Sequence, residues 1–155
     1  MKRKYLLMGL LGVFVLIQFI QPDRSVVATA PSQDLCAALQ PPASVAELLK
    51  AACYDCHSYE TRYPWYSRIA PVSWWITNHI SEGREQINFN TFGAVSPRDR
   101  VEVLKECSEE VLDGHMPLRS YTWMHAKARL SAEQRRALAD WFSARARYSG
   151  AKGEE

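Results

Sequence analysis

The pentapeptide Cys53-Tyr54-Asp55-Cys56-His57 constrains this chain more than any other feature. Two cysteines two residues apart make a strained disulfide, half of a zinc site, a redox dithiol, or the attachment point of a haem. A closed zinc site asks for about four ligands, and the other two cysteines, Cys36 and Cys107, stand alone. A thioredoxin-like dithiol asks for a βαβ setting, whereas the flanks here read as helix and loop. A disulfide inside C-x-x-C leaves the adjacent histidine without a purpose. Covalent haem attachment uses every residue type present. Each thiol adds across one vinyl group, a helical turn of two intervening residues sets the sulfurs at vinyl separation, and the next histidine falls under the iron as its fifth ligand. Cys53, Cys56 and His57 are therefore the expected haem-binding residues, with His57 on the metal.

The first twenty residues place Lys2, Arg3 and Lys4 ahead of an uncharged apolar run from Tyr5 to Ile20. Such a segment targets or anchors a chain and stands apart from its fold. Its sixteen residues lie between a signal-peptide core and a spanning helix in length. The uncleaved anchor is the favoured expectation, because Ala28-Thr29-Ala30, the only fitting cleavage triplet, lies ten residues past the run. The alternative is a soluble periplasmic protein released by cleavage. Either way the basic end stays in the cytoplasm and the rest is expected in the periplasm of a bacterium, at the cytoplasmic membrane. The expected division is 1–24 anchor or signal, 25–43 flexible tether, and 44–150 a haem-binding domain.

The net charge of +2 carries little weight, since Lys2, Arg3, Lys4 and Arg24 take four of the 19 basic residues and Asp23 one of the 17 acidic ones. What remains is nearly neutral, and nucleic acid is not an expected partner. Within 44–150, apolar periodicity and capping signals predict four helices. One begins at Ser44 and Glu47 and carries Val45, Leu48, Leu49 and Ala52 into Cys53; another covers Val72 to Ile87. A third opens at Ser96-Pro97 and stops at Gly114, and a fourth opens at Ser131 with Gln134. The loop between Tyr59 and Pro71 is rich in bulky aromatics, read as a wall shielding the porphyrin edge. The charge-rich stretch from Ser96 to Glu110 reads as a solvated helix face. With no alternating strand, the fold class is all-α.

The order of parts, a helix ending in CYDCH, a later GHMP and a last helix opening LSAEQRRALADWF, looks like a small c-type cytochrome. Within that group, CYDCHSYETRYPWYSRIAPVSWWITNHISEGREQINF followed by EEVLDGHMPLRSYTWMHAKARLS closely resembles the bacterial haem-binding domain family, single-haem modules with the same motif order. The resemblance covers roughly residues 44 to 145 and leaves out the N-terminal segment. It implies a helical cytochrome-like domain around one covalently bound haem c.

Met116 in GHMP matches the position at which small c-type cytochromes hold their methionine ligand. Gly114 and Pro117 flank it and suit a loop facing the iron. His125 is the serious rival for the sixth position; His79 is expected to be a packed histidine, His115 to point elsewhere, and Met124 to fill core. By analogy with small cytochromes, a carbonyl of Ile69-Ala70-Pro71 is the expected acceptor for the second nitrogen of His57. Arg62, Arg68, Trp74 and Trp75 are the expected propionate partners. A disulfide between Cys36 and Cys107 is an open alternative to a buried free thiol at Cys107. The expectation as a whole is electron transfer with redox proteins of the cell envelope, without enzymatic activity; the alternative is a haem-based sensor with a labile sixth position.

Overall fold

The computed structural model describes residues 2–152. Among them there is no strand, and helices carry the architecture. The N-terminal helix α1 (Lys2–Ile17) is exposed along its whole apolar length. No helix among the described residues is long and apolar enough to cross a membrane.

The stretch expected to be a flexible tether is ordered in its second half. Pro31–Gln33 forms a 3-10 turn and α2 (Leu35–Leu39) follows, with the Asp34 carboxylate accepting from the Cys36 amide as its N-cap. Leu35 is fully buried, and Gly93 lies so close to Gln33 that a Cβ there would clash with backbone at 2.7 Å. Composition hid this because one buried leucine, and no periodic face, ties the segment down.

The helix before the motif, α3 (Ala43–Ala52), starts earlier than expected. Pro42 is its N-cap and Ser44 lies inside the first turn, making no cap. Proline suits a helix entrance because it has no amide proton to leave unpaired. Val45, Leu49 and Ala52 face the core as their spacing predicts. The motif itself is a single turn, α4 (Tyr54–His57), closed by the His57 amide donating to the Cys53 carbonyl at 2.9 Å.

Three long helices complete the domain. The first, α5 (Val72–Gln86), matches the expected span. In α6 (Pro97–Leu112) Ser96 caps the Asp99 amide at 3.2 Å, and the helix ends before Gly114, whose φ of 84° is left-handed. The last, α8 (Ala132–Lys152), opens with a reciprocal capping box. Ser131 Oγ accepts from the Gln134 amide at 3.2 Å, and Gln134 Oε1 accepts from the Ser131 amide at 2.8 Å. The most extensive packing is α6 against α8, where Leu104 and Val111 meet Leu138, Trp141 and Phe142.

The same core contains Leu35, Leu49, Phe89 and Phe92, so residues 31–39 belong to the domain. Leu35→Ala is expected to lower the unfolding free energy by about 2–5 kcal/mol. Chemical denaturation measures it, and a residue in a loose tether would leave the midpoint where it was.

Candidate haem site

The turn α4 lies on one wall of a cavity of about 720 Å³. Cys53, Cys56, His57 and Met116 all line it, together with the apolar surfaces of Ile87, Phe89, Val103 and Phe142. The four residues singled out in sequence thus share one enclosure of a size usual for cofactor pockets.

His57 is held by the C-terminal end of α5. Its Nδ1 lies 2.8 Å from the Gly83 carbonyl oxygen and 3.2 Å from that of Ile87. Because a carbonyl only accepts, Nδ1 carries the proton and Nε2 keeps its lone pair. Gly83 permits this approach: a Cβ there would sit 3.4 Å from the imidazole Cε1 and 3.3 Å from the Cys56 carbonyl oxygen. Burial lowers the imidazole pKa, and the two carbonyls oppose it more weakly, so the ring is neutral, as a metal ligand must be. The acceptor is not the Ile69-Ala70-Pro71 segment. Ala70 is engaged instead with Gln18, whose side-chain Nε2 donates to its carbonyl at 3.1 Å and whose Oε1 accepts from its amide at 2.9 Å.

A redox dithiol uses a lowered thiol pKa, and these two are shifted the other way. Burial pushes Cys53 up to about 12 and Cys56 up to about 11. Among the described residues no three His, Cys, Asp or Glu side chains gather into a metal site. All four cysteines are free. Cys107 lines the cavity, while the Cys36 sulfur lies 3.1 Å from the Tyr54 hydroxyl oxygen, so the disulfide left open in sequence is not formed.

The residues between the cysteines, which spacing alone leaves unspecified, clamp the turn. The Tyr54 hydroxyl also donates to Asp34 Oδ1 at 2.9 Å, and Asn90 Nδ2 reaches both Asp34 Oδ2 and Glu60 Oε1 at 3.1 Å. Asp55, itself buried, accepts from the Tyr121 hydroxyl at 2.7 Å and from the Arg62 amide at 3.1 Å. Tyr121 comes from a short helix, α7 (Arg119–Met124), just after Met116. Both sides of the cavity are therefore tied to one carboxylate.

Met116 is fixed through its backbone. Its amide donates to the Glu110 carbonyl at 3.0 Å, and Arg135 Nη1 donates to the Met116 carbonyl at 2.8 Å and to that of Val111 at 2.6 Å. The rival ligands differ in where they lie. His79 is on α5 one turn before Gly83 and lines the larger cavity too. Its Nδ1 is buried with no partner, 3.9 Å from the nearest Glu82 oxygen. His125 stacks on Tyr121 with ring centres 4.0 Å apart and its Nδ1 lies 3.0 Å from the Tyr121 carbonyl. It lines a neighbouring cavity of about 350 Å³, not the one containing His57. His115 is exposed beside Glu110. Met124 is no core filler; it is mostly exposed at the rim of that second cavity.

None of the four expected propionate partners lines the larger cavity. Arg62 and Trp75 line the smaller one, Trp74 Nε1 donates to the Ile20 carbonyl, and Arg68 is exposed. His79 lines both cavities, and its Nδ1 is buried without a hydrogen-bond partner.

Against known families, the chain matches the one described as a haem-binding domain over residues 12–144. This chain belongs to the haem-binding domain family. The match opens inside α1, ahead of the span on which the sequence resemblance rested. No curated protein and no solved structure matches it. The residues present fit a haem: an imidazole whose Nδ1 proton is taken by a carbonyl, so that Nε2 keeps its lone pair, and two thiols and a thioether lining the same roomy, largely apolar cavity.

Replacing Gly83 by valine drives a branched side chain into the His57 ring, whereas alanine asks its neighbours to yield only slightly. Gly83→Val is expected to reduce haem-loaded protein severalfold and Gly83→Ala much less, read as haem absorbance per unit of protein; equal loading of the two would contradict the close approach.

Proposed function

We propose that this haem-binding domain is a monohaem c-type cytochrome that transfers electrons outside the cytoplasm. One observation carries the reading: the Nδ1 of His57 is used by the Gly83 carbonyl, which leaves Nε2 free on the cavity that also contains Cys53, Cys56 and Met116. Attachment is an addition in which each S–H bond breaks, sulfur joins one vinyl carbon and the proton the other. No oxidant is needed. Cys53 and Cys56 would then prevent loss of the cofactor, and His57 Nε2 and the Met116 thioether would bind its iron.

Bound haem supplies a one-electron ferric–ferrous couple. The chain's part is to keep both ligands in place during the change of charge. His57 is braced by α5, and Met116 is braced by Arg135 and the end of α6, so neither needs to move. Phe89, Ile87 and Phe142 exclude water from the ring face. Outer-sphere transfer asks for no nucleophile or general base, and the domain acts without being an enzyme.

The basic N-terminus and the apolar run through Ile20 support delivery across the bacterial cytoplasmic membrane, with α1 retained as an anchor and the haem domain in the periplasm. Redox proteins of the cell envelope are the partners in this scheme. Retention is supported by the contacts that Gln18, Ile20 and Arg24 make with the domain, which cleavage after Ala30 would remove.

The test is an optical spectrum with a pyridine haemochrome assay on protein matured in a host that attaches haem c. Acid-acetone should leave the pigment on the chain. The weak far-red band of methionine-bound ferric iron should be present in the parent and missing in Met116→Ala. Prompt carbon monoxide binding by the reduced parent would instead favour the sensor reading.

A further inference from the structure

The side of the domain next to α1 is unlike the rest of its surface. Trp65, Trp123 and Met124 are 74%, 75% and 62% exposed, and Trp75 is half exposed. Trp65, Trp75 and Met124, with Val72, line the smaller cavity and form its apolar rim, and the exposed Trp123 precedes Met124 on α7. A patch of this kind on a small domain marks a contact surface.

What covers it is indicated by where α1 ends. The loop carrying Trp65 and leading to Val72 is the segment to which the tail of α1 is fastened. Gln18 pairs with both backbone groups of Ala70, Trp74 Nε1 donates to the Ile20 carbonyl at 2.6 Å, and the Arg24 guanidinium donates to the Ser67 carbonyl while lying 4.5 Å from the centre of the Tyr63 ring. The apolar helix and the aromatic rim are thus continuous, with no slack between them. The family match, beginning inside α1, includes this junction.

Length and charge agree. Sixteen helical residues span about 24 Å, short of the roughly 30 Å of a bilayer's hydrocarbon core. A short apolar segment draws its flanking residues down into the headgroup region. Tryptophan is the side chain best suited to that region. The two segments bearing the rim, 61–76 and 117–130, contain Arg62, Arg68, Arg119, Lys127 and Arg129, all exposed, and no carboxylate. Anionic headgroups attract such a surface.

We propose that the haem domain does not hang from its anchor on a free tether but lies on the lipid surface, with the Trp65–Trp75–Met124 rim and the neighbouring Trp123 seated among the headgroups. The inference rests on the reading of α1 as a membrane segment. The smaller cavity then opens toward lipid.

The test uses the full-length holoprotein reconstituted into vesicles of phosphatidylethanolamine and phosphatidylglycerol. Flotation first reports whether the chain is held by the vesicles; if it is not, the anchor reading fails and this inference with it. For vesicle-bound protein, hydroxyl-radical footprinting is expected to modify Trp65, Trp123 and Met124 severalfold more slowly than their exposure predicts, with Leu112 and Tyr148 as exposed references on the chain. In the Trp65→Ser/Trp123→Ser variant, which alters only exposed side chains, Met124 should regain its reactivity while flotation is unchanged. Full reactivity of all three residues in floating protein overturns the proposal. Protection that depends on protein density in the vesicles overturns it too, because a second copy would then be the cover.

Discussion

The hydrogen bond from His57 Nδ1 to the Gly83 carbonyl is the contact on which the site depends. It fixes the tautomer, sets the ring's direction and joins the motif turn to α5. Gly83 O already receives the Ile87 amide at 3.1 Å as the last turn of α5 closes. The imidazole is therefore a second donor to a carbonyl at the negative end of a helix. That increases the electron density at Nε2 without protonating it, since burial opposes the charged form more strongly than the carbonyls favour it. A branched side chain at position 83 would disturb all of this at once.

The rest of the domain holds that arrangement rigid. Tyr54 leads into a polar hub of Asp34, Asn90 and Glu60, and Asp55 into Tyr121 and Arg62. Buried polar groups destabilise a fold when left unpaired and fix its geometry when satisfied. Here Asp55, the buried acid between the two cysteines, links α4 to α7, and α7 follows directly on the Met116 loop. The segment 31–39, which supplies Asp34, is for this reason part of the site's support.

What could be read in the sequence was what is local. The spacing of the motif, the caps at Ser96 and Ser131, the stop at Gly114 and the inward faces of α3, α6 and α8 are each decided by residues within a few positions of one another. Ser44 is a local exception, since α3 enters at Pro42 and the serine makes no cap. The other differences concern distant partners: the acceptor for His57 lies at the end of α5, twenty-six residues after the histidine, and not ahead of that helix. Leu35 gave no periodic signal, and Met124 carries none that separates a core position from a rim. The signal for Gly83 was present but general: a glycine inside an apolar helical pattern points to a close approach by something, without saying what.

The environment of the larger cavity also bears on the potential of a haem held there. Its mouth is bordered by Glu82, Glu106, Glu109 and Glu110, and no lysine or arginine lines it. Carboxylates favour the more positive ferric iron, while an apolar enclosure favours the ferrous state because it disfavours net charge. The four carboxylates are exposed, and charges in that position are screened over about 8 Å at physiological ionic strength. The wall of Ile87, Phe89, Val103 and Phe142 is in direct contact with the enclosed space and is not screened. On the cytochrome reading, burial and the methionine ligand therefore set the potential. The effect of the acidic mouth on that potential is confined to low salt.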